Sequence, residues 1–234
     1  MQSTTRDMTY GSPWRLIVSF AVPVLLSQIF QQLYNTADTL IVGRFLGDGA
    51  LAAVSSSGPL IFLLISFFTG LSMGAGVTIS RYFGAGDYGR VSKAIHTDVM
   101  LGLLSGTVLT VVGVLLTPTF LRWMGTAPEV LPDAIAYFRY YFIGVLAVVM
   151  YNMCKSIMNA LGDSKRPLYY LIISSLTNIV LDLLFIGGFG WGVAGAAIAT
   201  VLAQAVSVVL AVALLIKKKL PFAITRGLSI QSSM

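Results

Sequence analysis

Thr177-Asn178-Ile179-Val180-Leu181-Asp182-Leu183-Leu184-Phe185 sets two polar side chains inside an apolar run over 168–186. That run is long enough to cross a bilayer as a helix. Asn178 and Asp182 are four residues apart, so on a helix they share one face, one turn apart. Ser174 and Ser175 extend that face, which is the only polar stripe of the segment. A carboxylate at membrane depth is unfavourable unless it meets a cavity, a partner or an ion, which makes Asp182 a candidate functional residue. The competing reading is a residue hydrogen-bonded across a helix interface for structure alone.

The surrounding composition supports a membrane setting. Of 234 residues, 56% are hydrophobic and 10% are charged, with mean hydropathy +0.86. Soluble domains carry about 25% charged residues, so this is an all-α, polytopic membrane protein with no room for a sizeable soluble domain. The net charge of +6 lies in short loops between apolar runs, a positive-inside distribution rather than a nucleic-acid patch. Cys154 is the one cysteine, which excludes an intrachain disulfide. No HExxH, P-loop, GxSxG or Cys/His cluster occurs, and His96 is the only histidine. An enzyme is therefore not expected.

Six apolar segments follow one another at about 16–42, 50–83, 92–116, 132–158, 168–186 and 193–216. They divide the chain into a polar lead-in over 1–13, a six-helix transmembrane lobe over 14–216 and a tail over 217–234. The first segment carries Gln28, Gln31, Gln32, Asn35 and Asp38, which fall on one arc of a 3.6-residue helix. Pro23 within it removes a backbone hydrogen bond and predicts a bend. The second and third contain Gly70-x-x-x-Gly74 and the pair Gly102 and Gly106, spacings that permit close helix approach. Between segments, 43–49 and 117–131 read as loops. Asp98 falls near the start of the third segment and reads as interfacial. Tyr137, Tyr140 and Tyr141 with Arg139 read as an interfacial aromatic belt. Asn152 and Ser156 lie on one face of the fourth segment, and Thr200, Gln204 and Ser207 on one face of the sixth.

With the N-terminus inside, twelve of the fifteen lysines and arginines fall on the cytoplasmic side, against Arg44, Arg122 and Arg139 outside. The expected topology is six helices with both termini cytoplasmic in the cell membrane. Asp38, Asp182 and Thr200 then come to similar depth in the outer half of three separate helices. That coincidence favours one shared site.

Several stretches resemble the multidrug and toxic compound extrusion (MATE) family of cation-coupled antiporters. They are Pro23 to Asp38; Val42-Gly43-Arg44-Phe45-Leu46-Gly47 with Ala50-Leu51-Ala52-Ala53-Val54; Leu161-Gly162-Asp163-Ser164-Lys165-Arg166-Pro167; and Asn178 with Asp182. The resemblance covers nearly the whole chain and implies twelve helices in two six-helix lobes around a central cavity. It places a cation-coupling site for H⁺ or Na⁺ on Asp38, Asn178, Asp182 and Thr200, with Tyr34 nearby and Asn152 a weaker match. Gln28, Gln31, Asn35 and Gln204 would support the cavity, and no cofactor beyond the coupling ion is expected. The implied substrate is an amphipathic, cationic small molecule. The chain stops after one lobe, and 217–234 reads as a linker toward another. A fragment is the expectation, with pairing of half-size chains the alternative.

Other classes fit less well. A lipid-linked oligosaccharide flippase should show more cationic cavity residues than Arg139 and Lys155. A passive channel needs a continuous polar path, whereas these stripes cluster at one end. A truncated, non-transporting scaffold is the remaining alternative.

Overall fold

In a bilayer every backbone N–H and C=O must find an internal partner, and a helix provides one within the segment itself. The computed structural model describes residues 12–217, and those residues are helical with no strand among them. In order they form α1 (Pro13–Gly84), α2 (Tyr88–Trp123), α3 (Leu131–Ala160), α4 (Lys165–Asp182), a π-helical turn (Leu183–Gly188) and α5 (Gly192–Lys217). Six helical stretches among the described residues are long and apolar enough to span a membrane. The parts of the expected lead-in and tail at 1–11 and 218–234 lie outside the described residues.

The connection expected over 43–49 is far tighter than a loop. Helical structure runs through 13–84 with one non-helical residue, Gly47, at φ 80° and ψ −175°. That backbone region is essentially closed to residues with a Cβ, so one glycine separates the two arms of α1. Pro23 is buried in the first arm and keeps helical dihedrals. The Ser27 hydroxyl donates to the Pro23 carbonyl at 2.8 Å. The loop expected over 117–131 is also shorter, because α2 continues through Pro118 to Trp123. There the Thr117 hydroxyl donates to the Gly113 carbonyl at 2.6 Å, adding a polar partner just before the proline interrupts the ladder.

α3 is the central column, packed against α1, α2, α4 and α5. Glycines permit its close contacts. A Cβ on Gly102 would lie 2.9 Å from Met153, and one on Gly106 2.8 Å from Leu146. Gly113 faces the Phe142 ring and Gly144 faces Val201 in still closer contact. The Gly70 and Gly74 pair does not act this way, since nothing among the described residues lies within 4 Å of a Cβ built at either. Gly76, two residues on, makes the close approach instead, against Ser156. The Ser156 hydroxyl donates to the Ser72 carbonyl at 2.6 Å.

α4 and α5 are joined by polar contacts along their length. The Ser174 hydroxyl donates to the Ala203 carbonyl at 2.8 Å, and Ser207 to the Tyr170 carbonyl at 3.2 Å. In an apolar medium such bonds replace the driving force that water would supply. They fix the register that sets Asn178 opposite Thr200.

Candidate cation-binding site

Asp182 is the last residue of α4 before the backbone widens into the π-helical turn. The widening shows as an i→i+5 bond, Phe189 N–H to the Leu184 carbonyl at 2.9 Å. Such turns recur at functional sites because they shift a side chain out of helical register. Phe185 and Trp191 stack at 4.8 Å between centroids and close the hairpin at this end.

The Asp182 side chain is fully buried. The Asn178 amide fits in one orientation: its nitrogen donates to Asp182 Oδ2 at 2.8 Å, and its oxygen accepts from the Thr200 N–H at 3.1 Å. The Thr200 hydroxyl donates to the Ala196 carbonyl at 3.0 Å. From the first arm of α1, Asp38 comes within hydrogen-bond reach of Asp182, and the Tyr34 hydroxyl lies beside the Thr200 side chain. One oxygen on each acid, Asp38 Oδ1 and Asp182 Oδ1, is buried with no donor among the described residues to satisfy it. Two carboxyl groups this close, each with an unsatisfied oxygen, form a cradle for positive charge. The cradle lies about 9–14 Å from the Gly47 end of the bundle, taking 1.5 Å per residue along α1, α4 and α5.

Two further residues complete the pocket, and both correct the aromatic-belt expectation. Tyr137 and Tyr141 of α3 are buried and stack on each other at 6.4 Å. Tyr137 lies close enough to Asp38 and Asp182 to feel both charges. An i, i+4 pair on the inward face of α3 cannot also face the headgroups; Tyr140, one residue round the helix, is the exposed one. The available signal was that spacing, the same one that marks Asn178 and Asp182.

The remaining candidates stand apart. Gln28 and Asn35 are exposed and Gln31 is half-buried, with Gln31 Nε2 donating to Asn35 Oδ1 at 3.4 Å. Asn152 donates back to its own helix at the Val148 carbonyl, 2.9 Å away. Gln204 Oε1 is buried without a partner. Asp98 lies about 15 Å along α2 from the helix start at Tyr88 and is only 2% exposed.

Six spans around a central helix bring a buried and a half-buried carboxyl group together inside one polytopic bundle. The MatE family model matches residues 23–184, and the chain belongs to that family, whose members are transporters of small molecules. It is 36% identical over 221 residues to the probable multidrug resistance protein YoeA of Bacillus subtilis (strain 168), covering 93% of this chain and 48% of that protein. YpnP of the same organism, also a probable multidrug resistance protein, is 34% identical over 223 residues, covering 94% and 50%. Among solved structures, an outward-facing multidrug resistance MATE family transporter of the MOP superfamily superposes with TM-score 0.90 at 30% identity, covering 99% of this chain and 51% of that one. A MATE crystal structure in the bent conformation gives 0.85 at 31% identity, covering 94% and 48%. The chain thus spans about half the length of the relatives it matches.

Proposed function

We propose that this chain is the cation-coupling lobe of a multidrug efflux antiporter, with the coupling ion, H⁺ or Na⁺, held by Asp38, Asp182, Asn178 and Thr200. The convergence of Asp38 and Asp182, each with an orphaned buried oxygen, carries the proposal. Like charges at this separation repel strongly out of water, so the pair is stable with one positive charge shared between them. A proton on one acid satisfies the other. The hard oxygens of two carboxylates and a hydroxyl equally suit a small monovalent cation, with the Asn178 amide N–H holding Asp182 in place.

Coupling requires that the loaded and empty site prefer different cavity shapes. A differential of about 1–3 kcal/mol changes substrate affinity 5- to 150-fold. Asp38 rides on the first arm of α1, separate from the α4–α5 pair that holds Asp182 and Thr200, so charge at the site changes how firmly that arm is held. The same arm carries the exposed polar stripe of Gln28 and Asn35 with half-buried Gln31. These groups suit a water-filled cavity covered by a second lobe or a second copy of the chain, not lipid. The substrates we propose are amphipathic organic cations, and the orientation is both termini cytoplasmic in the cell membrane.

The test uses this chain assembled with a second lobe in proteoliposomes. Asp38→Asn and Asp182→Asn should each abolish cation-driven efflux while inserting normally, because Asn is easier to bury than an ionised carboxylate. Transport against a gradient by both variants would overturn the assignment.

A further inference from the structure

At the end of the bundle opposite the cation site, the first turns of α1 and α4 flank a groove of ≈ 480 Å³ lined by Trp14, Arg15, Val18, Val22, Pro23 and Lys165. We propose that this groove holds a phospholipid with a net negative headgroup, independently of what the lobe transports.

The layout has the polarity of a lipid. Trp14, Val18 and Val22 recur every four residues, so they form one apolar stripe about 12 Å long that runs from the end of the bundle toward its middle. Pro23 continues that wall. Arg15 and Lys165 sit at its outer limit, one on the first turn of α1 and the other the first residue of α4. A phosphate between the two cations would leave an acyl chain to run along the stripe. Trp14, 73% exposed, stands where apolar wall and charge meet, a position that suits the indole ring at a headgroup boundary.

Charge decides the class of headgroup. Arg15 and Lys165 are both exposed, and neither has a carboxylate within salt-bridge distance among the described residues. The nearest acid in sequence to Lys165, Asp163, is buried in an ion pair with Arg166 at 3.0 Å. Among the described residues, no acid lines the groove to receive a choline or ethanolamine nitrogen. The N-terminus of α4 adds further positive potential beside Lys165. Two open cations therefore select for a headgroup whose phosphate charge is not cancelled internally.

Trp14 itself reports the test once Trp123→Phe and Trp191→Phe have removed the other two indoles. The chain is reconstituted in vesicles containing equal fractions of brominated phosphatidylglycerol or brominated phosphatidylcholine, and Trp14 quenching is compared. We expect at least twofold stronger quenching by the anionic lipid. Arg15→Gln with Lys165→Gln should bring the ratio close to one, while Lys93→Gln at the same end of the bundle leaves it unchanged. If the double variant does not insert, each single variant must lower the ratio and Arg15→Lys must preserve it. Equal quenching by the two lipids would overturn the proposal. So would an equal loss in Lys93→Gln, which means diffuse surface charge, or abolition by inorganic phosphate, which means a soluble-anion site.

Discussion

Asp182 and Asp98 are both buried acids within membrane-spanning helices, and their surroundings differ in every other respect. Asp182 faces Asp38, takes a 2.8 Å bond from Asn178 and shares a pocket with Thr200, Tyr34, Tyr137 and Tyr141. Those residues come from α1, α3, α4 and α5. Asp98 lies one turn from Ile95 on α2, beside an apolar cluster that includes Val91, Ile95 and Cys154, and neither of its oxygens has a hydrogen-bond partner among the described residues. Burial alone therefore does not mark a carboxylate as a candidate site. Convergence of polar groups from separate helices does.

The contrast breaks first on the acids themselves. In transporter assembled with a second lobe, Asp182→Asn should reduce cation-driven efflux to background, whereas Asp98→Asn should leave the rate within a factor of two or three. Equal loss in both would remove the distinction. A smaller effect is expected from Asn178→Ala, which deletes a hydrogen bond to a charged group. Such bonds contribute about 1.5–3 kcal/mol, so half-maximal coupling should need roughly 10- to 100-fold more cation, with the maximal rate less affected.

How much of this was legible in the sequence depended on what each pattern could exclude. Asn178, Asp182 and Asp38 stood out because a polar side chain inside an apolar run has few acceptable surroundings. Tyr137 and Tyr141 did not, since tyrosines beside Arg139 near a span end suit a headgroup belt as well as a pocket wall. Only the packing of α3 against its neighbours chooses between them. The burial of Asp98 was not legible, since an acid six residues into the apolar run that starts at about Ser92 can face water, lipid headgroups or protein. The π-helical turn after Asp182 left no compositional mark, being a change in hydrogen-bond pattern rather than in residue type. Gly47 was visible as part of a loop, but its work as a single-residue hinge depends on a dihedral that composition does not reveal.

Two weaker effects sharpen the same comparison. Tyr137→Phe keeps the ring and removes a hydroxyl close to both acids, so cation affinity should fall less than tenfold while the melting temperature holds. A collapse in melting temperature would mean that the tyrosine is structural. Asp98→Leu replaces a buried acid whose oxygens are unpaired with a side chain of similar size. Removing unsatisfied polar atoms from an apolar core is neutral or stabilising, so thermal unfolding in detergent should occur at the same temperature or higher. Destabilisation by more than about 1 kcal/mol would show that Asp98 makes a contact its surroundings do not reveal.

The most direct test is infrared difference spectroscopy on the purified chain in lipid, recorded as Na⁺ replaces choline and again as pH is raised. If Asp38 and Asp182 share one positive charge, the wild type should lose a protonated-carboxyl band on one or both changes. That loss should be absent in Asp38→Asn and in Asp182→Asn, and should persist in Asp98→Asn. The account is contradicted if the wild type shows no change in that band, or if the change survives in either site variant.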